Sequence, residues 1–138
     1  MTDLGLTHIA LPVTDLDRSI DFYAVYAGME VVHRRPGNKG DVAWISDRTR
    51  PFVIVLIEQD EVLAPLQAPA HLGIALASRA EVDLRCDIAR EEGVLVREPE
   101  QSGQPVGYWA VLRDPDGHTV ELTYGQQVGL TVAGEEGA

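Results

Sequence analysis

Ala70-His71-Leu72-Gly73-Ile74-Ala75-Leu76 repeats, 63 residues later (71 − 8), the pattern of Leu6-Thr7-His8-Ile9-Ala10-Leu11-Pro12-Val13. Each is a short, mostly apolar run with a histidine near its start, and each reads as a buried strand. Working outward from either run gives the same order of elements. After the first, Thr14 is a candidate N-cap with Asp17 in a capping-box position. Leu16, Ile20, Tyr23 and Ala27 then recur at helical spacing, and Gly28 supplies the stop. Strands are expected at 29–34, 41–46 and 52–58, separated by Pro36–Gly40 and Asp47–Pro51. After the second run, a helix is expected at 79–92, ended by Gly93, with strands at 94–98, 107–112 and 118–124.

The chain therefore reads as two tandem βαβββ modules, 4–58 and 70–124, joined by a proline-bearing acidic linker at 59–69. The fold class is α+β. One such unit leaves its sheet half covered, so the pair is expected to form a curved mixed sheet around a shared cavity, all within a single domain over 1–127. Residues 128–138, Gly-rich and acidic, are expected to be a flexible tail, although Leu130 and Val132 could pack across a dimer.

Composition narrows the function. A chain of 138 residues with 45% hydrophobic content suits one compact domain. The net charge of −11 and pI near 4.6 disfavour nucleic acid and anionic membranes as partners. No apolar run approaches the roughly 18 residues of a membrane span. The N-terminal residues lack the pattern of a secretory signal, and a cytoplasmic location is expected. Cys86 is the one cysteine, which excludes an internal disulfide and a Cys-based zinc site. Within an amphipathic helix it reads as a small buried hydrophobe.

Asp114-Pro115-Asp116-Gly117 is a strong turn signal and should join the last two strands as a hairpin. Beyond it, Thr119-Val120-Glu121-Leu122-Thr123 alternates, which turns Glu121 away from Val120 and Leu122. A carboxylate within an apolar strand needs a cation, a donor or water. Taken singly, His8 and His71 would be ordinary structural histidines. Their matched positions, together with Glu121, instead suggest one metal site. Two imidazoles and a carboxylate form a facial ligand set suited to Fe2+, Mn2+, Ni2+ or Zn2+, with coordination positions left open. From the first module a fourth ligand could come from Glu58, since 58 − 8 and 121 − 71 both equal 50. Hydrophobic matching instead sets Val55 against Glu121, with Val55 inward and Glu58 solvated at the strand end. His33 could be an acid–base group or could lie on an outer strand. His118 reads as a surface or turn histidine. Tyr108, Trp109 and Tyr124 could line an aromatic pocket or pack in the core, and Tyr108 and Tyr124 are the candidates for substrate binding.

The opening from His8 through Val13-Thr14-Asp15-Leu16-Asp17-Arg18 to Phe22-Tyr23, followed by Gly28-Met29, resembles the vicinal oxygen chelate superfamily. This is the group of glyoxalases, bleomycin-resistance proteins and extradiol dioxygenases. Asp114-Pro115-Asp116-Gly117-His118-Thr119-Val120-Glu121-Leu122 is its second signature here, and the likeness covers nearly all of 4–124. The resemblance implies metal ligands at His8, His71 and Glu121. It also implies a substrate with two neighbouring oxygens, a homodimer, and a ring-cleaving dioxygenase or a glyoxalase-like lyase. Glyoxalase I type enzymes have a further carboxylate in the first module, from which this chain departs if Val55 stands there. Two other activities fall within the resemblance. One is drug sequestration of the bleomycin-resistance type. The other is fosfomycin-type thiol transfer, which needs basic residues such as Arg97 and Arg113 for a phosphonate.

Overall fold

The computed structural model describes residues 2–134. The chain divides between Pro65 and Leu66 into two units of the same design. The first contains β1 (His8–Val13), α1 (Leu16–Ala27), β2 (Glu30–Pro36), β3 (Asp41–Ser46) and β4 (Val53–Glu58). The second contains β5 (Leu72–Ala75), α2 (Arg79–Glu92), β6 (Leu95–Ser102), β7 (Gly107–Arg113), β8 (Thr119–Tyr124) and a short α3 (Val128–Val132). Each unit has its own four-stranded mixed sheet, ordered β1-β4-β3-β2 and β5-β8-β7-β6. In both, the first strand lies parallel to the last and the other pairs are antiparallel. The α+β class and the tandem βαβββ order are those expected from the sequence. The end of the expected tail, residues 135–138, lies outside the described residues.

In the first unit the sheet buries one face under α1. Leu11 and Val13 of β1, Ala43 and Ile45 of β3, and Ile54 and Leu56 of β4 alternate inward. Leu16, Phe22, Tyr23 and Tyr26 of α1 meet them. Phe22 packs edge-on to Tyr23, with centroids 5.1 Å apart, and lies 4.7 Å from Tyr26. Each such large side chain contributes roughly 1.5–3 kcal/mol when fully buried. The buried stripe of α1 is turned slightly from the expected one, since Ile20 is only half-buried and Phe22 and Tyr26 join Tyr23.

Helix α1 starts one residue later than a Thr14 cap would set it. Asp15 is the N-cap, and its Oδ1 accepts from the Arg18 N–H at 3.2 Å. A carboxylate is well placed there because the helix dipole presents positive charge. A second carboxylate comes from far along the chain: Glu58 Oε2 accepts from the Leu16 N–H at 2.7 Å. Glu58 at the end of β4 is thus half-buried and anchored to α1, not solvated as the sequence suggested. Gly40 leaves it the room, since a Cβ there would lie 2.0 Å from Glu58 Oε1.

The second unit is built alike. Ser78 caps α2 by accepting from the Glu81 N–H at 3.1 Å, and Gly93 ends the helix at φ 74°. Val82, Cys86 and Ala89 of α2 are buried, the first two in one cluster with Tyr108 and Ala110 of β7. Strand β6 runs longer than 94–98 because Gln101 and Ser102 still pair with Tyr108 and Gly107. It tolerates Pro99 as an edge strand, with register shifts on either side of Arg97.

The turn Asp114–Gly117 closes as expected. Asp114 Oδ1 accepts from the backbone N–H groups of Asp116 and His118, both at 2.9 Å, and Gly117 takes φ 91°. His118 is not a surface residue. It is buried, and its Nδ1 accepts from the Leu66 N–H at 2.9 Å, while the Thr119 N–H donates to the Leu66 carbonyl at 2.7 Å. Those two bonds tie the start of the second unit to β8.

Candidate functional site

Register decides what faces what on the side of each sheet away from its helix. In the second unit Gly73 pairs with Glu121 and Val111 is Glu121's other neighbour. His71 stands one residue ahead of β5. Its Nδ1 lies 2.8 Å from the Pro69 carbonyl, and its Nε2 lies 2.8 Å from Glu121 Oε2. With Nδ1–H donating to the carbonyl, the ring is held so that Nε2 addresses the carboxylate. A carbonyl partner on the far nitrogen fixes tautomer and orientation in this way at many histidine metal ligands. The neighbouring Gly73 adds no bulk, and a Cβ there would meet no heavy atom within 4 Å.

In the first unit Ala10 pairs with Val55. Ala10 stands two residues after His8, as Gly73 stands two after His71. Val55 therefore holds in the first sheet the position that Glu121 holds in the second. Glu58, three residues on, points its carboxylate at α1. His8 is exposed at the start of β1, with Nδ1 2.8 Å from Thr7 Oγ1.

Of the three expected ligands, His71 and Glu121 thus meet directly, within the second unit. Among the described residues no three His, Cys, Asp or Glu side chains cluster closely enough to hold a metal ion. The donor chemistry of the pair, an imidazole Nε2 and a carboxylate oxygen, nonetheless fits a divalent ion.

The two tyrosines expected to bind substrate are elsewhere. Tyr108 pairs with Tyr124 across β7 and β8, in phase with Ala110, Leu112 and Leu122 under α2. Its hydroxyl donates to Asp83 Oδ1 of α2 at 2.5 Å, and Arg79 lies 3.9 Å over its ring. Asp83 as acceptor, burial second, holds the phenol above its usual range. Tyr124 shares that phase at the exposed end of β8. The aromatic residue on Glu121's face is Trp109, whose Nε1 donates to Ser102 Oγ at 2.9 Å beneath Arg97. Arg97 is engaged with Trp109 and Glu100. His33 lies on the edge strand β2, 4.9 Å from the ring of Trp44.

A cavity of about 690 Å³ forms a groove on the first unit, on the sheet face opposite α1. His8 and Ala10 of β1, Val53 and Val55 of β4, and Trp44 of β3 form its floor. Arg35, Arg48 and Arg50 stand around it. Sequence reasoning did not find these arginines. The signal available was Arg48-Thr49-Arg50 in the turn that leads into β4, the strand carrying Val55.

Comparison with known proteins agrees with this architecture. The chain is 43% identical over 128 residues to the uncharacterized protein PA2024 of Pseudomonas aeruginosa, covering 90% of this chain and 91% of that one. It is 32% identical to the lactoylglutathione lyase of Escherichia coli O157:H7, covering 86% and 91%. A mutant of the fosfomycin resistance protein FosX from Listeria monocytogenes, complexed with Mn(II) and a dihydroxypropylphosphonic acid, shares the fold. It superimposes with a TM-score of 0.73 at 21% identity, over 96% of this chain and 99% of that one. The model of the glyoxalase/bleomycin resistance protein/dioxygenase superfamily matches residues 5–122, and with its tandem βαβββ modules the chain belongs to that superfamily.

Proposed function

We propose that the protein is a divalent-metal-dependent enzyme of the glyoxalase or dioxygenase type, with His8, His71 and Glu121 as its ligands and a small molecule with two vicinal oxygens as its substrate. The observation that carries this reading is the approach of His71 Nε2 to Glu121 Oε2 at 2.8 Å, with His71 Nδ1 held by the Pro69 carbonyl. A bound metal would polarise the substrate oxygens and stabilise negative charge as it develops on them. The protein's own part is positional. The Pro69 carbonyl keeps a proton on His71 Nδ1, so that Nε2 offers its lone pair, and Gly73 leaves space beside Glu121. The curated relative named as a lactoylglutathione lyase and the manganese complex of FosX support the metal-dependent class. Val55 in place of a fourth ligand separates this chain from the four-ligand pattern and leaves a three-residue set.

A second reading is sequestration of a small molecule without chemistry. It is favoured by the groove on the first unit, whose lining residues all come from that unit.

Elemental analysis of the purified, reconstituted protein separates the two. About one divalent ion per chain, lost in His8→Ala, His71→Ala and Glu121→Ala, is the result expected for the enzyme. Iron would direct substrate screening to catechol-type rings, and nickel, zinc or manganese to lyase substrates. Full occupancy in both histidine variants, or no metal in the parent protein, would leave sequestration.

A further inference from the structure

The groove on the first unit combines an apolar floor with guanidinium groups at its edge. Val53, Val55, Ile57, Phe52 and Trp44 give the floor its character. Arg35 comes from β2, and Arg48 and Arg50 come from the turn between β3 and β4. This is unexpected in a chain with 22 acidic and 11 basic residues, where carboxylates are available to almost every cation. Elsewhere they are used: Arg34 pairs with Asp17 and Asp41, Arg90 with Asp87 and Glu98, and Arg85 with Glu81. Among the described residues Arg35 and Arg50 are in no ion pair. Arg48 bonds Glu30 through Nε at 2.6 Å, which leaves its terminal nitrogens for another partner. Glu30, which Arg48 bonds, and Asp47, whose carboxylate is held low in part by the charge of Arg50, do not line the groove.

The turn is built to hold Arg48 in place. Arg48 is the one non-glycine residue with positive φ among those described, at 62°, a conformation with a cost for a side chain with a Cβ. Local bonds hold it there. Its N–H donates to Ser46 Oγ at 2.9 Å, and the next residue, Thr49, donates to Asp47 Oδ1 through both N–H and hydroxyl. Arg35, for its part, lies 5.7 Å over the Trp44 ring, beside the groove floor.

We propose that this groove is a binding subsite for an organic oxyanion with an apolar body, its carboxylate or phosphoryl group held by Arg48 and Arg50 and its hydrocarbon part lying over Val53, Val55 and Trp44. Guanidinium groups take oxyanions in paired hydrogen bonds, and an apolar floor raises the strength of those bonds by excluding water. The inference deepens the proposed function, on which it rests only for the claim that the bound anion is the substrate. The subsite itself requires no metal.

The test uses 2-naphthoate and its neutral isostere 2-naphthamide, titrated into the full-length metal-free protein. Quenching of Trp44 is followed in a Trp109→Phe background, with calorimetry as a second readout. Saturable 1:1 binding of naphthoate, on the order of tenfold tighter than the amide, is expected. Arg48→Gln with Arg50→Gln should abolish that preference and leave the weak amide binding as it was, while Arg→Lys at both positions should restore part of it. Equal binding of the two probes, a preference unchanged in the double glutamine variant, or no naphthoate binding at about 1 mM would overturn the proposal. Glu121→Gln separates the two readings, because it should remove the metal yet leave naphthoate binding intact. Loss of naphthoate binding in that variant would place the anion elsewhere. Metal retained there, with the naphthoate preference intact, would count against the metal site alone.

Discussion

Replacing Glu58 by alanine should destabilise the protein substantially while leaving its metal content unchanged. Glu58 Oε2 accepts from the Leu16 N–H, the first backbone donor of α1, at 2.7 Å. Leu16 itself is buried, so that N–H has little access to water once the carboxylate is gone. A buried donor left without its acceptor costs about 1–3 kcal/mol. Loss of the negative charge at the helix N-terminus adds about 0.3–1 kcal/mol. A net cost of about 2 kcal/mol follows, partly offset if water enters the space beside Gly40. For a chain of this length each kcal/mol lowers the melting temperature by roughly 3–5 °C, so Glu58→Ala should melt roughly 6–10 °C below the parent. Glu58→Gln keeps an oxygen acceptor and should lose only the charge contribution, about 0.3–1 kcal/mol. The assay is thermal unfolding by circular dichroism on the parent and both variants, with elemental analysis on the same samples. A melting temperature within about 1 °C of the parent, or loss of metal in Glu58→Ala at unchanged stability, would refute the assignment of this carboxylate to the helix.

Two further outcomes follow from the second unit. Tyr108→Phe removes the hydroxyl that donates to Asp83 and should cost about 1 kcal/mol in stability. Because the ring lies under α2, ligand binding should be unchanged; a large change in substrate affinity in this variant would return Tyr108 to the binding face. The Cys86 thiol is pushed up to about 11, chiefly by burial and then by Asp83 and Glu98. It should therefore resist dithionitrobenzoate at pH 8 in the folded protein and react at once in denaturant. The folded state favours the protonated thiol, so the unfolded chain loses its proton first as pH rises. Stability from this group is full below about pH 9 and declines between about 9 and 11. Rapid modification of the native protein at pH 8 would show that α2 does not seal the thiol.

Much of the molecule was legible in the sequence because it depends on neighbours along the chain. The apolar run at 6–13 marked β1 as a strand, and alternation at period two turned Glu121 away from Val120 and Leu122. Helical spacing with Gly28 and Gly93 bounded both helices, and Asp114–Gly117 set the final hairpin. The matched placement of His8 and His71 exposed the repeat, since each module uses the same local pattern to build the same unit. That His71 would meet Glu121 could be anticipated, because the first and last strands of the module are adjacent.

What tertiary structure alone decided depends on register between strands distant in sequence, which no local pattern encodes. The sequence left two candidates for the position matching Glu121, Val55 favoured by hydrophobic matching and Glu58 by spacing, and the pairing of Ala10 with Val55 and of Gly73 with Glu121 decides for Val55. The bond from Leu16 to Glu58 spans 42 residues and gives that carboxylate a structural task. Tyr108 and Trp109 are consecutive aromatics whose roles follow from phase. The pairing of Val111 with Glu121 sends Trp109 to the open face and Tyr108 beneath α2. The three arginines of the groove come from β2 and from a turn 13 to 15 residues further on (48 − 35 and 50 − 35), brought together by the pairing of β2 with β3. Local sequence determines which residues can form strands and caps. Hydrogen bonding across the sheet determines which side chains share a face, and a site is a set of side chains on one face.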